Sequence, residues 1–142
     1  MTRREAREQA FEMVFEMGFQ NLPIAELTEN AVDGRDLQLD DYAVQATGAV
    51  QQHLAAIDAV IDVYSTKWKL GRLPKVTLAI LRLAICELDF IPEVPEGAVI
   101  NEAVELAKKY GTEEDASYVN GVLGGYVRKK TGEIPPTQPQ AE

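Results

Sequence analysis

The sequence predicts an all-α fold, and three observations carry that prediction. Apolar residues recur at helical spacing through the long segments of the chain. The stretch from Leu78 to Leu88 is apolar on almost every side, which places a helix in the middle of a bundle. Near the end, Gly111 stops one amphipathic helix and Thr112 to Asp115 has the S/T-x-x-D/E form that starts another.

Taken in order, the first helix is expected from about Thr2 to Met17, ended by Gly18. Ala6, Ala10, Met13, Val14 and Met17 share one face of it. Arg3 and Arg7 fall close to that face. Guanidinium groups are rarely fully buried, so the first turn is expected at the rim of the body or beyond it. A short helix is expected within Ile24 to Val32, then a polar loop to about Asp40. One long helix follows, with the stripe Ala43, Ala46, Val50, Leu54, Ile57, Ile61 and Tyr64. Gly71 and Pro74 punctuate the chain before the apolar helix, and proline suits a helix start. Pro92, Pro95 and Gly97 stiffen the connection to a terminal helical hairpin. In that hairpin Ala103, Leu106, Ala107 and Tyr110 share a face, while Lys108 and Lys109 sit at the negative end of the helix dipole. Residues 131–142 read as a disordered polar, proline-rich tail.

Composition bounds the function. At 142 residues, 46% apolar and 26% charged, the chain fits one ordinary globular domain. No apolar run approaches the ~20 residues that span a bilayer. Glu5, Glu8 and Glu12 follow the first arginines where a signal peptide would be apolar, so a cytoplasmic address is expected. The single cysteine, Cys86, excludes an internal disulfide framework. No catalytic constellation is present. His53, the one histidine, lacks partners at metal-ligand spacing and reads as structural. Cys86 reads as a small buried hydrophobe. Gly124-Gly125 lacks the strand and lysine of a phosphate loop. No enzyme activity, cofactor or metal is expected.

Three features point to binding. Arg3, Arg4 and Arg7 oppose the dipole at a helix N-terminus, which favours acids, so a partner that brings negative charge is expected. Arginine forks onto phosphates and stacks on bases, which suits single-stranded RNA; an ordinary solvated helix start is the plain alternative. Tyr118 lies at the edge of a core face formed by Val119, Val122, Leu123 and Tyr126, on the side of Gly121, Gly125 and Glu114. It reads either as a platform for an unpaired base or as a tyrosine closing the core. Lys67 to Lys75, with Lys69 and Arg72, reads as a basic contact or as a solvated loop with Trp68 folded inward. Arg82, alone in its apolar helix, needs a carboxylate, with Glu102 or Glu105 expected. The net charge of −9 opposes nucleic-acid binding. Its distribution softens the objection: residues 67–82 hold Lys67, Lys69, Arg72, Lys75 and Arg82 and no acid. Screening over ~8 Å lets such a patch act by itself.

Taken as a pattern, Ile100-Asn101-Glu102-Ala103-Val104-Glu105-Leu106-Ala107-Lys108-Lys109-Tyr110-Gly111 and Tyr118-Val119-Asn120-Gly121-Val122-Leu123 resemble the signature of the NusB family of bacterial antitermination factors. The resemblance extends to Trp68–Leu73, Val76 and Ile80–Leu88, and to Arg3–Ala10, in the family's order and spacing. It implies a compact bundle of about seven helices in two subdomains, with residues 1–130 as one RNA-binding domain. The implied partners are single-stranded boxA RNA, the ribosomal protein NusE, and the RNA polymerase antitermination complex with other Nus factors, chiefly at ribosomal RNA operons. By resemblance Arg3, Arg4, Arg7 and Tyr118 are RNA contacts, joined by Lys69 and Arg72, and Thr77 and Glu114 meet the protein partner. The family usually has phenylalanine at the position of Tyr118, many relatives have an acid at Thr77, and many have tyrosine at Cys86. Competing classes are a helical protein-binding module that never touches RNA, and the detached NusB-like domain of an RNA methyltransferase. This sequence holds no Rossmann-like segment for a methyl donor.

Overall fold

The computed structural model describes residues 2–20 and 39–130. The short helix expected within Ile24 to Val32, the polar loop after it, and the tail of residues 131–142 lie outside the described residues. Among the described residues there are only helices: α1 (Arg3–Gln20), α2 (Asp41–Gln52), α3 (Leu54–Tyr64), α4 (Lys75–Phe90), α5 (Glu96–Tyr110) and α6 (Glu113–Lys130), with a 3-10 turn at Leu70–Arg72.

α1 opens on a reciprocal cap. The Thr2 N–H donates to the Glu5 carboxylate at 2.8 Å and the Glu5 N–H to Thr2 Oγ1 at 3.1 Å. Gly18 does not end the helix, which runs two residues further to Gln20. At the next start, Asp40 accepts from the Tyr42 N–H at 2.8 Å. The long helix expected from Ala43 to Tyr64 breaks at His53, where φ is −112° and ψ is 21°. The His53 ring lies flat on Phe90, with centroids 3.8 Å apart and 6° between the planes. This surface stack, outside the apolar stripe, marks the bend between α2 and α3.

Pro74 immediately precedes α4, as its fixed φ favours. Eleven residues of α4, from Thr77 to Leu88, are buried. α4 packs against α1, α2, α3, α5 and α6, and is the axis of the fold. α1 and α2 pair on one side of it; α3 and α6 pair on the other, with α5 against α6. Two small bundles thus share one central helix.

The hairpin turn between α5 and α6 follows its sequence signals closely. Thr112 N–H donates to Asp115 Oδ2 at 2.9 Å and Asp115 N–H to Thr112 Oγ1 at 3.1 Å. Gly111 does end α5, but for a steric reason: its φ is −127°. A Cβ there would meet Asp115 Oδ2 at 2.6 Å and the Ala107 carbonyl at 3.0 Å. The closing carboxylate of the cap needs the space that glycine leaves.

Two polar expectations change with the packing. Arg82 forks onto Asp58 of α3, both contacts at 2.9 Å, instead of Glu102 or Glu105 of α5. The face of α4 that carries Arg82 turns toward α3. Cys86 is fully buried and its thiol is pushed up to about 12 by burial, so it stays an inert thiol. Among the described residues no helix is long and apolar enough to cross a membrane. No group of them could hold a metal ion.

Candidate nucleic-acid interface

The start of α1 separates its three arginines by environment. Arg3 and Arg4 are exposed. Arg3 lies over the Tyr42 ring, 4.3 Å from its centroid, a cation–π contact on the molecular surface. Arg4 forks onto Glu102 of α5, Nε to Oε1 at 3.0 Å and Nη2 to Oε2 at 2.7 Å. Arg7 is different. It is 4% exposed, and its Nε donates to Glu87 Oε2 at 2.9 Å. Glu87 is 1% exposed and also accepts from the Tyr42 hydroxyl. Burial pushes the Glu87 carboxyl up, while Arg7 and the Tyr42 hydrogen bond pull it down.

The expectation that Arg7 stands at the rim is therefore corrected. Apolar faces of α1 and α4 carry one opposite charge each, and the two meet inside, where a guanidinium can be buried because it is paired. Glu87 and Tyr42 are the residues that sequence reasoning missed. The signal was present: a glutamate inside an almost wholly apolar helix and an arginine on an apolar face each demand a partner.

Across α1, Lys109 of α5 donates to Glu8 at 2.6 Å, and Phe11 packs on Tyr110 with centroids 4.8 Å apart. Arg4, Arg7, Glu8, Glu102 and Lys109 line a cleft between α1 and α5.

The second group lies on α6 and the loop before α4. Tyr118 is half-buried; its edge meets Trp68 with centroids 5.1 Å apart at 61°. Its hydroxyl bonds to Ser65, which in turn donates to the Trp68 carbonyl. Burial raises the Tyr118 phenol above its ordinary value. Lys67 sits 4.8 Å from the Trp68 ring centroid and pairs with the exposed Glu114 at 3.0 Å. Beside Tyr118, a Cβ on Gly121 would meet nothing within 4 Å, whereas one on Gly125 would touch Tyr64 at 3.7 Å. Of the two glycines on the Tyr118 side of the helix, only Gly121 faces open space. Lys69 and Arg72 are exposed and have no carboxylate in ion-pair range among the described residues.

Glu114 and Thr77 part company. Glu114 is exposed beside the aromatic pair. Thr77 is 0% exposed, and its hydroxyl has no hydrogen-bond partner among the described residues. A side chain without exposed surface offers nothing to a partner, so Thr77 is corrected from a contact to a core residue. Among the described residues no direct contact joins Arg3 and Arg4 to the Tyr118 group; α5 and its turn into α6 connect them.

An all-helical body that carries exposed arginines at one helix start and a half-buried aromatic pair at its surface has the build of a small helical binding protein. The family model "NusB family" matches residues 4–128. The chain belongs to the NusB family. The transcription antitermination protein NusB of Agathobacter rectalis is 43% identical over 130 residues, covering 89% of this chain and 99% of that one. That of Thermoanaerobacter sp. is 42% identical, covering 90% of this chain and 91% of that one. Among solved structures, a complex of the antitermination factors NusB and NusE with double-stranded RNA matches with a TM-score of 0.79 at 28% identity, covering 91% and 99% of the two chains. NusB of T. maritima matches with a TM-score of 0.75 at 32% identity, covering 95% and 94%.

Proposed function

We propose that this chain is a transcription antitermination factor that binds single-stranded boxA RNA together with the ribosomal protein NusE. The pair would join RNA polymerase and other Nus factors in the cytoplasm, chiefly at ribosomal RNA operons. The mechanism is binding alone, with no cofactor. The observation that carries the reading is the pair Arg3 and Arg4, exposed at a helix N-terminus where the dipole disfavours cations. Support for RNA and NusE as partners comes from the related NusB–NusE complex with RNA.

Within this reading Arg3 and Arg4 contact the RNA. Arg7 fixes the first turn of α1 from inside and touches no RNA. Tyr118, braced by Trp68 and Ser65, offers its ring to an unpaired base, and Lys69 and Arg72 add phosphate contacts. Glu114 remains the candidate for the protein partner, and Thr77 is not retained.

A second reading, in which the ligand is duplex RNA, is favoured by the double-stranded RNA in that related complex. Calorimetry separates the two. A single-stranded boxA-like oligonucleotide should bind more tightly than its duplex, and more tightly to the chain paired with NusE than to the chain alone. Linkage requires NusE to bind more tightly when RNA is present. Preference for the duplex would favour the second reading. Affinities for RNA and NusE that are independent of each other would refute joint recognition.

A further inference from the structure

Arginine makes the same two-pronged fork with a carboxylate as with a phosphate. In the free protein that fork on Arg4 is filled by Glu102. We propose that Glu102 occupies the place on Arg4 that an RNA backbone phosphate takes in the complex, and so acts as an internal competitor that sets RNA affinity. The proposal rests on the RNA-binding reading above and assigns Glu102 a part in it.

Exposure gives the exchange its direction. The Arg4 side chain is 68% exposed and that of Glu102 only 17%. The anion is held on the body of α5 while the guanidinium reaches it from solvent, so Arg4 is the partner free to turn away. Glu102 then keeps a cation, because Arg7 Nη1 stands 3.9 Å from its Oε1. Arg7 itself is anchored on Glu87 and does not follow Arg4 outward. An exposed ion pair is worth little, so a phosphate can displace it.

The surroundings repeat the arrangement. Lys109, also on the cleft between α1 and α5, is exposed and is held by Glu8. The cleft holds about 220 Å³, below the roughly 300–1,000 Å³ of pockets that enclose drug-sized ligands. It suits a phosphate crossing its mouth better than an enclosed base.

The opposite role for Glu102 is to hold Arg4 ready for phosphate, and it differs in sign. Glu102→Gln keeps the shape and removes the charge. Binding of a single-stranded boxA-like RNA oligonucleotide should tighten about two- to fivefold, the strength of an exposed ion pair. The slope of log affinity against log salt should stay close to the parent's, because Arg4 meets the same phosphate in both complexes. In the Arg4→Ala background the same substitution should give less than half that gain. Thermal melts of each variant without RNA establish that they are folded; Glu102→Ala serves in place of the glutamine variant if that one is not.

Equal or weaker binding by Glu102→Gln overturns the proposal, and so does a gain undiminished by Arg4→Ala. Failure of the underlying reading looks different: Arg4→Ala alone would leave RNA affinity unchanged.

Discussion

Replacing Arg7 with alanine should destabilise the protein severely, although the residue stands in an exposed-looking first turn. The substitution removes the guanidinium from Glu87, a carboxylate that is 1% exposed. Its remaining hydrogen-bond donor is the Tyr42 hydroxyl. Breaking a buried ion pair from one side typically costs about 3–5 kcal/mol, because the other charge stays behind unpaired. Burial also favours protonation of the abandoned carboxyl, which relieves part of that cost, so about 3 kcal/mol is the better expectation at neutral pH. For a domain of this size that lowers Tm by roughly 10 °C. Urea melts of the parent, Arg7→Ala, Glu87→Gln and the double variant measure it. The double variant should be more stable than the sum of the singles implies, since a neutral amide in place of the carboxylate no longer needs a cation. An Arg7→Ala variant within about 0.5 kcal/mol of the parent would refute the reasoning and return Arg7 to the surface as an RNA contact.

Tyr118 and Glu102 carry the remaining three outcomes. Tyr118→Phe should bind RNA nearly as well as the parent and lose about 0.5–1.5 kcal/mol of stability with its Ser65 hydrogen bond. Tyr118→Ala should lose ~1–3 kcal/mol of RNA binding, and a folded alanine variant that binds as tightly as the parent would make Tyr118 a core residue only. The Arg4 fork holds the Glu102 carboxyl below the ordinary glutamate value of 4.5. Its stabilisation is therefore full above pH about 4.5 and fades as pH falls through the lower folded value. A carbon-detected NMR titration should show Glu102 moving up toward the ordinary range in Arg4→Ala; an unmoved midpoint would contradict the fork.

Features that depend on local backbone chemistry were legible in the sequence. The Thr112–Asp115 cap, the stop at Gly111, the start after Pro74 and the all-round apolar helix are each set by residues within a turn or two. Features that depend on which helix faces which were not. Arg82 required a carboxylate, but only the packing of α3 on α4 selects Asp58. Arg7 lay on the apolar face of α1, and its burial became intelligible once Glu87 and Tyr42 closed around it. The break at His53 had no glycine or proline to announce it; a surface stack on Phe90, distant in sequence, accompanies the bend. Thr77 illustrates the limit of carrying a family position over to one chain. The resemblance put Thr77 at the partner surface, whereas the threonine here fits inside. For the candidate interface, the sequence singled out Arg3, Arg4 and Tyr118 as candidates, and the fold shows what lies against them: Tyr42, Glu102, and Trp68 with Ser65.

The central claim is that the exposed start of α1 binds RNA through its phosphates. The most direct test is a salt titration of boxA-like RNA binding by the parent and by the Arg3→Ala, Arg4→Ala double variant, with folding checked by melts. The account expects weaker binding and a salt slope smaller by about 1.4, two phosphate contacts on a single strand. It expects stability to change by no more than about 1 kcal/mol, since both side chains are exposed. A folded double variant with the parent's affinity and the parent's slope would contradict it.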